Sequence, residues 1–269
     1  MLMKLMKHEF RATSRIMLPM FLVVLVTAVG ANISARTLME VDNAFMNTLG
    51  VLVLSAFMIA IMAVCVIALL LMIQRFYKNL LQDEGYVMMT LPVSIHQQVW
   101  SKLLVSLIWF AATVAVICCA FFVLLFNIEF VIECFNVLGR LLEEYYVPPE
   151  FMQALSVLGD LLLLFIVGTI GECLHIYASM AIGHSFPSHK VVWSVGLYFG
   201  IEFAAQFIVG IFMVLFYGFD SFGLVSMIAQ NEIGAVHIML LLAVLGQVVL
   251  DAVFYFLTTY FMSKRLNLE

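Results

Sequence analysis

Charge is what this sequence has least of. Only 11% of its 269 residues are Asp, Glu, Lys or Arg, while 65% are hydrophobic. Soluble domains average about 25% charged and about 45–50% apolar residues. A globule of this length has too little interior to hide such an excess, and a bilayer solvates it, so a soluble fold is excluded. Basic residues number 12 against 17 acidic ones, for a net charge of −5, which excludes a basic nucleic-acid footprint. Cysteine is sparse and unpaired by spacing: Cys65, Cys118, Cys119 and Cys173 lie in apolar runs, Cys134 lies in a polar stretch, and no CxxC occurs. A thiol in an apolar run behaves as a small hydrophobe, so neither a disulfide framework nor a zinc site follows.

Catalytic signatures are missing too. There is no GxxxxGK to cradle nucleotide phosphates and no GxSxG elbow. His8-Glu9 opens an HExxH pattern, but Ala12 stands where the second histidine belongs. Glu172 and His175 form one ExxH, whereas a di-iron bundle needs two such motifs and further carboxylates. No metal, no resident cofactor and no enzymatic activity is therefore expected. The N-terminus has no unbroken apolar core behind a short basic region and no small-residue cleavage site. Its first apolar run is expected to be retained.

What the chain does have is long apolar runs. A spanning helix needs about 20 mostly apolar residues, and six windows qualify, at 16–35, 49–73, 100–126, 155–182, 191–217 and 236–262. The expectation is an all-α integral membrane protein of six transmembrane helices, forming one transmembrane domain over 1–269. Basic residues mark the cytoplasmic side of such a chain. With the N-terminus inside, every Lys and Arg falls in an inner segment except Arg36 and Arg140, and both termini are cytoplasmic. Glu40, Asp42, Glu129, Glu133, Glu143, Glu144, Glu150, Asp220 and Glu232 then lie outside.

Two further segments have helical periodicity without spanning length. Residues 1–15 set Leu2, Leu5, Met6 and Phe10 near one face and Lys4, Lys7, His8 and Arg11 mostly opposite, as an amphipathic helix lying in the headgroup plane would. Within 127–154, Ile128, Val131, Ile132, Phe135, Leu138, Leu142 and Tyr145 recur at helical spacing, and Pro148-Pro149 end the segment.

Carboxylates inside apolar runs are costly and mark functional-site candidates. Glu172, with His175 one turn on, lies in the fourth run; Glu202 and Gln206 share a face of the fifth; Gln247 and Asp251 share a face of the sixth. They are either a transport path or proton relay, or neutral hydrogen-bonding groups that hold helices together. Spacing alone leaves both open.

The most informative stretch is 74–99. Arg75 and Lys78 sit at the expected inner membrane edge, Gly85 permits a break after Asp83-Glu84, Pro92 ends the apolar piece Val87–Leu91, and Ser94 is an N-cap for the third span. An apolar piece in a solvated loop suggests docking.

Glu84, the Leu91-Pro92-Val93-Ser94 turn and Lys102 resemble the corresponding loop of type-2 ABC exporter permeases. The string DEGYxMxTLPVSxHQxxWSK, with the opening KxEFRATxRIxLP, is similar to permeases common in Firmicutes. The resemblance extends over the whole chain in the order of its parts. Tyr86, where many relatives have Thr, and the acidic segment at 128–146 depart from it. It implies a bacterial cell-membrane permease that hydrolyses no ATP, pairs with a second permease subunit, and couples to a separate ATPase subunit that binds ATP and magnesium. It further implies that Asp83, Glu84, Gly85, Tyr86 and Pro92 act in a coupling helix, and that the loop holding His184 and His189 makes a second ATPase contact. Substrates in keeping with it are amphipathic peptides, lipids or drug-like molecules. The alternative is a proton-coupled secondary transporter or channel that uses the buried carboxylates.

Overall fold

The computed structural model describes residues 2–40, 43–82, 85, 86, 90, 93–126, 132, 133, 135–137, 139, 149–218 and 232–264. Among these residues there is no strand. Six long helices follow one another: α1 Leu2–Glu40, α2 Ala44–Phe76, α3 Ile95–Leu125, α4 Pro149–Gly183, α5 Lys190–Gly218 and α6 Glu232–Lys264. All six are long and apolar enough to cross a membrane. The shortest has 29 residues, and at 1.5 Å per residue even that exceeds a hydrocarbon core of about 30 Å. Bulky apolar side chains such as Met62, Phe203 and Val214 are about 70% exposed, a surface that lipid solvates and water does not.

Contacts divide the chain into two compact units, one of residues 1–75 and 100–147, the other of 76–99 and 148–269. Unit 1 contains α1, most of α2 and most of α3. Its buried stripe on α1 is Met17, Phe21, Val24, Ala28 and Ala31, and on α2 it is Phe57, Ala60, Val64, Ala68 and Leu71. Steps of three and four keep such a stripe on one helix face. The alanines matter because lipid is as apolar as leucine; helices in it associate by close packing, which small residues allow. At one end of the unit, Asn32 Nδ2 donates to the carbonyls of Val123 (3.1 Å), Leu124 (2.7 Å) and Phe126 (3.2 Å), and the Arg36 guanidinium also bonds Phe126 O. Val123 and Leu124 lie in the last turn of α3 and Phe126 just past it, where carbonyls lack the usual helical donor, so α1 caps α3.

Residues 2–15 and the first span form one helix without a break, with Pro19 inside it. The separate N-terminal segment expected from the sequence is continuous with the span because its polar residues are packed. Glu9 is 8% exposed and Thr13 4%, both held against α3.

Unit 2 has α4 packed against both α5 and α6. Pro149 starts α4, at the position where a missing amide costs nothing. From Cys173 to Ala181 every residue of α4 is buried. Gly171 and Gly183 set how closely the neighbours approach. A Cβ on Gly171 would run into the Gln247 and Asp251 side chains of α6, and one on Gly183 would stand 2.6 Å from the backbone N of Ser194 in α5. The segment after α2 also belongs here. It continues as a π-helical turn, Tyr77–Leu81, whose Asn79, Leu80 and Leu81 are buried. The expected N-cap is present: Ser94 Oγ accepts from the amide of Gln97 at 3.3 Å at the start of α3.

Candidate functional site

Unit 2 gathers the candidate path residues around α4. Tyr198 Oη of α5 donates to Glu172 Oε1 at 2.7 Å. His175 Nδ1 lies 3.8 Å from Glu202 Oε2. Its ring is sandwiched between those of Tyr198, 4.6 Å away, and Phe254 of α6, 4.8 Å away, both stacked. Within α5, Gln206 Nε2 donates to Glu202 Oε1 at 2.8 Å; within α6, Gln247 Nε2 donates to Asp251 Oδ1 at 3.0 Å. Gly171, beside Glu172, admits that last pair to the face of α4. So the structure brings Glu172, His175, Glu202, Gln206, Gln247 and Asp251 into one district of three helices.

Burial there is graded. His175 is 3% exposed and Asp251 8%, whereas the Glu202 side chain is 45% exposed. His175 Nε2 and Ser179 Oγ, one turn apart on α4, are buried with no hydrogen-bond partner among the described residues. Among the same residues, no three His, Cys, Asp or Glu side chains converge as metal ligands would.

Sequence reasoning missed a second polar set in unit 2. His237 of α6 bonds Asp160 of α4 through Nδ1 and shares a 3.1 Å hydrogen bond with Ser156 Oγ through Nε2. A signal existed: Ser156 and Asp160 are four apart, hence on one helix face, and an acid in an apolar run needs a donor from another helix.

The segments assigned to coupling also meet within unit 2. The Phe76 ring stacks on Tyr177 at 4.0 Å, and the Tyr77 ring meets His184 edge-on at 5.4 Å. His184 lies just past the end of α4, and its Nδ1 donates to Met180 O at 2.9 Å. Burial, with the Lys190 cation adding to it, pushes its pKa below the usual value, against the pull of the Met180 carbonyl. The neutral ring is therefore the stable form above the ordinary histidine range, and stability is lost as pH falls through the lowered value. His189 is exposed at φ 52°, a left-handed conformation in the loop leading into α5. Gly85 is buried and its amide bonds Gln82 O at 2.7 Å, while Tyr86 is 52% exposed. Asp83, Glu84 and Pro92 lie outside the described residues, as do Cys134 and most of 127–148.

Unit 1 has a polar site that the sequence did not reveal. Lys102 Nζ of α3 lies 2.7 Å from Glu9 Oε1 of α1, and both residues are buried. Trp109 Nε1 donates to Thr13 Oγ1 at 2.7 Å, with the indole ring stacked on Phe10 at 4.7 Å. Glu9, Thr13, Lys102, Trp109 and Arg75 line a small cavity whose other walls include Met17, Leu71 and Val105.

No protein-family model, curated protein or solved structure matches this chain.

Proposed function

We propose that this chain is the membrane-spanning permease subunit of an ATP-driven exporter of the type-2 ABC class. In this reading the termini are cytoplasmic, the membrane is the bacterial cell membrane, a second permease subunit pairs with this one, and the cargo is amphipathic. ATP and magnesium are bound by a separate nucleotide-binding subunit. The observation that supports the reading most is the meeting of the 76–81 and 183–190 segments through Tyr77 and His184. A docked ATPase that moves the first segment pushes on the end of α4 through the Phe76–Tyr177 stack. Helix α4 is also the one that carries Glu172 and His175, so a helix shift at one end repositions the polar district. The residues of that district would then line the path.

Affinity purification in mild detergent, with mass spectrometry of the retained proteins, tests the partnership. A subunit carrying GxxxxGK[ST] is expected; its absence from an intact complex counts against the proposal. Gly85→Pro removes the amide that bonds Gln82 O. It is expected to keep the helical circular dichroism while uncoupling ATP hydrolysis from transport, and normal coupling in that variant would refute the role of the segment. The orientation has its own check. A cysteine at Gln153 should react with an impermeant maleimide outside sealed cells and one at Gln82 should not; both positions are exposed.

The second reading, a proton-coupled carrier, draws on the contact of His175 with Glu202, since intramembrane His and acidic groups form proton relays.

A further inference from the structure

Between their ends, helices α4 to α6 hold acids but no Lys or Arg; Lys190 and Lys264 stand at the termini of α5 and α6. Asp160, Glu172, Glu202 and Asp251 lie within these helices, and no Lys or Arg occurs from 141 to 189 or from 191 to 263. Of these acids Asp160 alone bonds a base at short range among the described residues, His237. The hydrogen bonds that Glu172, Glu202 and Asp251 accept come from neutral donors, a tyrosine hydroxyl and two glutamine amides. Such donors satisfy carboxylate lone pairs but leave the charge uncompensated. Unit 1 treats its acid differently, setting Lys102 against Glu9.

A second observation points the same way. His175 lies inside the district and is 3% exposed, yet its Nε2 has no partner among the described residues. A neutral imidazole that turns Nδ1–H toward the Glu202 carboxylate keeps Nε2 as a lone-pair acceptor. Ser179 Oγ, also unpartnered and buried, offers lone pairs one turn on. The rings of Tyr198 and Phe254 flank His175, and those of Phe203 and Phe207 on α5 are exposed next to Glu202 and Gln206. Aromatic faces attract cations as well. Half-exposed Glu202 gives the district an accessible edge.

We propose that the α4–α6 district binds an organic cation carrying apolar bulk, with Glu202 as the entry contact and Glu172, His175 and Asp251 deeper. This rests on the transport reading above and narrows its substrate class to positively charged amphiphiles.

The probe is tetraphenylphosphonium, set against tetraphenylborate, an anion of the same shape and apolar area. The purified permease alone, in lipid nanodiscs, is equilibrated with each ion, and empty discs give the partition background. No ATP and no partner subunit enter, so failure to find an ATPase leaves this result standing, and failure here leaves the ATPase result standing. Saturable binding of the cation and none of the anion is expected. Glu202→Gln, checked for a monodisperse and fully helical protein, should weaken cation binding about tenfold or more. Equal binding of the two ions overturns the proposal. So does cation binding that survives unchanged in Glu202→Gln, Glu172→Gln and Asp251→Asn alike, which would put the site elsewhere.

Discussion

Units 1 and 2 face the same solvent problem and treat polar groups in different ways. In unit 1 the carboxylate of Glu9 is matched by the Lys102 ammonium, the Trp109 indole by Thr13, and the open end of α3 by Asn32 and Arg36. Most of the rest of its interior is an apolar stripe with alanines at the contacts, and Asn47 Oδ1 is its single buried side-chain N or O atom without a partner among the described residues. In unit 2 Asp160 is matched by His237, but the three carboxylates around the middle of α4 are held by uncharged donors. A histidine nitrogen and a serine oxygen there are left without partners among the described residues. Pairing closes a site, because a matched group has nothing to offer a ligand. Unmatched acceptors keep one open at a cost in stability, and that cost marks where function is to be sought. Under the proposed transport reading, this contrast makes unit 1 a support and assigns the cargo chemistry to unit 2.

The largest effect that would break the contrast is loss of the unit 1 ion pair. Lys102→Met removes the ammonium bonded to the buried Glu9 carboxylate, and removing one partner of a buried pair costs about 3–5 kcal/mol. The double substitution Glu9→Gln with Lys102→Met should recover most of that, because the carboxylate charge is removed together with the ammonium that it bonds. Denaturation midpoints in mixed micelles give the cycle. Equal losses in the single and double variants would mean that the pair is no matched unit, and unit 1 would lose its claim to closure.

Next come the two glycines of α4. A Cβ at Gly183 meets the backbone N and Cα of Ser194, at 2.6 and 2.7 Å, and backbone cannot rotate aside; one at Gly171 meets only the tips of Gln247 and Asp251. Gly183→Ala is therefore expected to cost about 1–3 kcal/mol by overpacking. Gly171→Ala should cost less in stability while disturbing the Gln247–Asp251 hydrogen bond, which cation binding would report. A reversed order in the same micelle assay would show that the contact at Gly171 is the rigid one.

The six apolar runs were legible in the sequence because a window average is a local property and lipid selects on it. Their ends were less so. Hydropathy separates residues 2–15 from the first span, yet the structure joins them, since Glu9 and Thr13 find Lys102 and Trp109 more than 90 positions away. The same limit governs the polar district. Pairs four apart, Glu202 with Gln206 and Gln247 with Asp251, could be read from helical spacing, and the structure has both. Tyr198 with Glu172, His175 with Glu202, and His237 with Asp160 join different helices, and which faces oppose is set by packing that no local pattern encodes.

The smallest expected effect is the one that separates the two transport readings. Glu172→Gln, Glu202→Gln and Asp251→Asn keep side-chain shape and most hydrogen bonding, and bonds between groups in membrane helices average about 0.6 kcal/mol. Each variant should therefore fold nearly as well as the parent. Their value lies in flux, measured in proteoliposomes under two driving forces: ATP with the partner ATPase in one arm, an imposed pH gradient alone in the other. A permease driven by ATP moves substrate in the first arm and none in the second. Removing a negative charge then lowers affinity for a cationic substrate, so the half-maximal concentration rises while the limiting rate is largely kept. A proton carrier behaves in the opposite way. The pH gradient alone drives flux, and the amide at the relay position abolishes coupled movement at any substrate concentration, because an amide can bind but cannot carry the proton. Flux in the second arm that disappears in any one of the three variants would assign the acids of unit 2 to protons and withdraw them from the ATP-driven path.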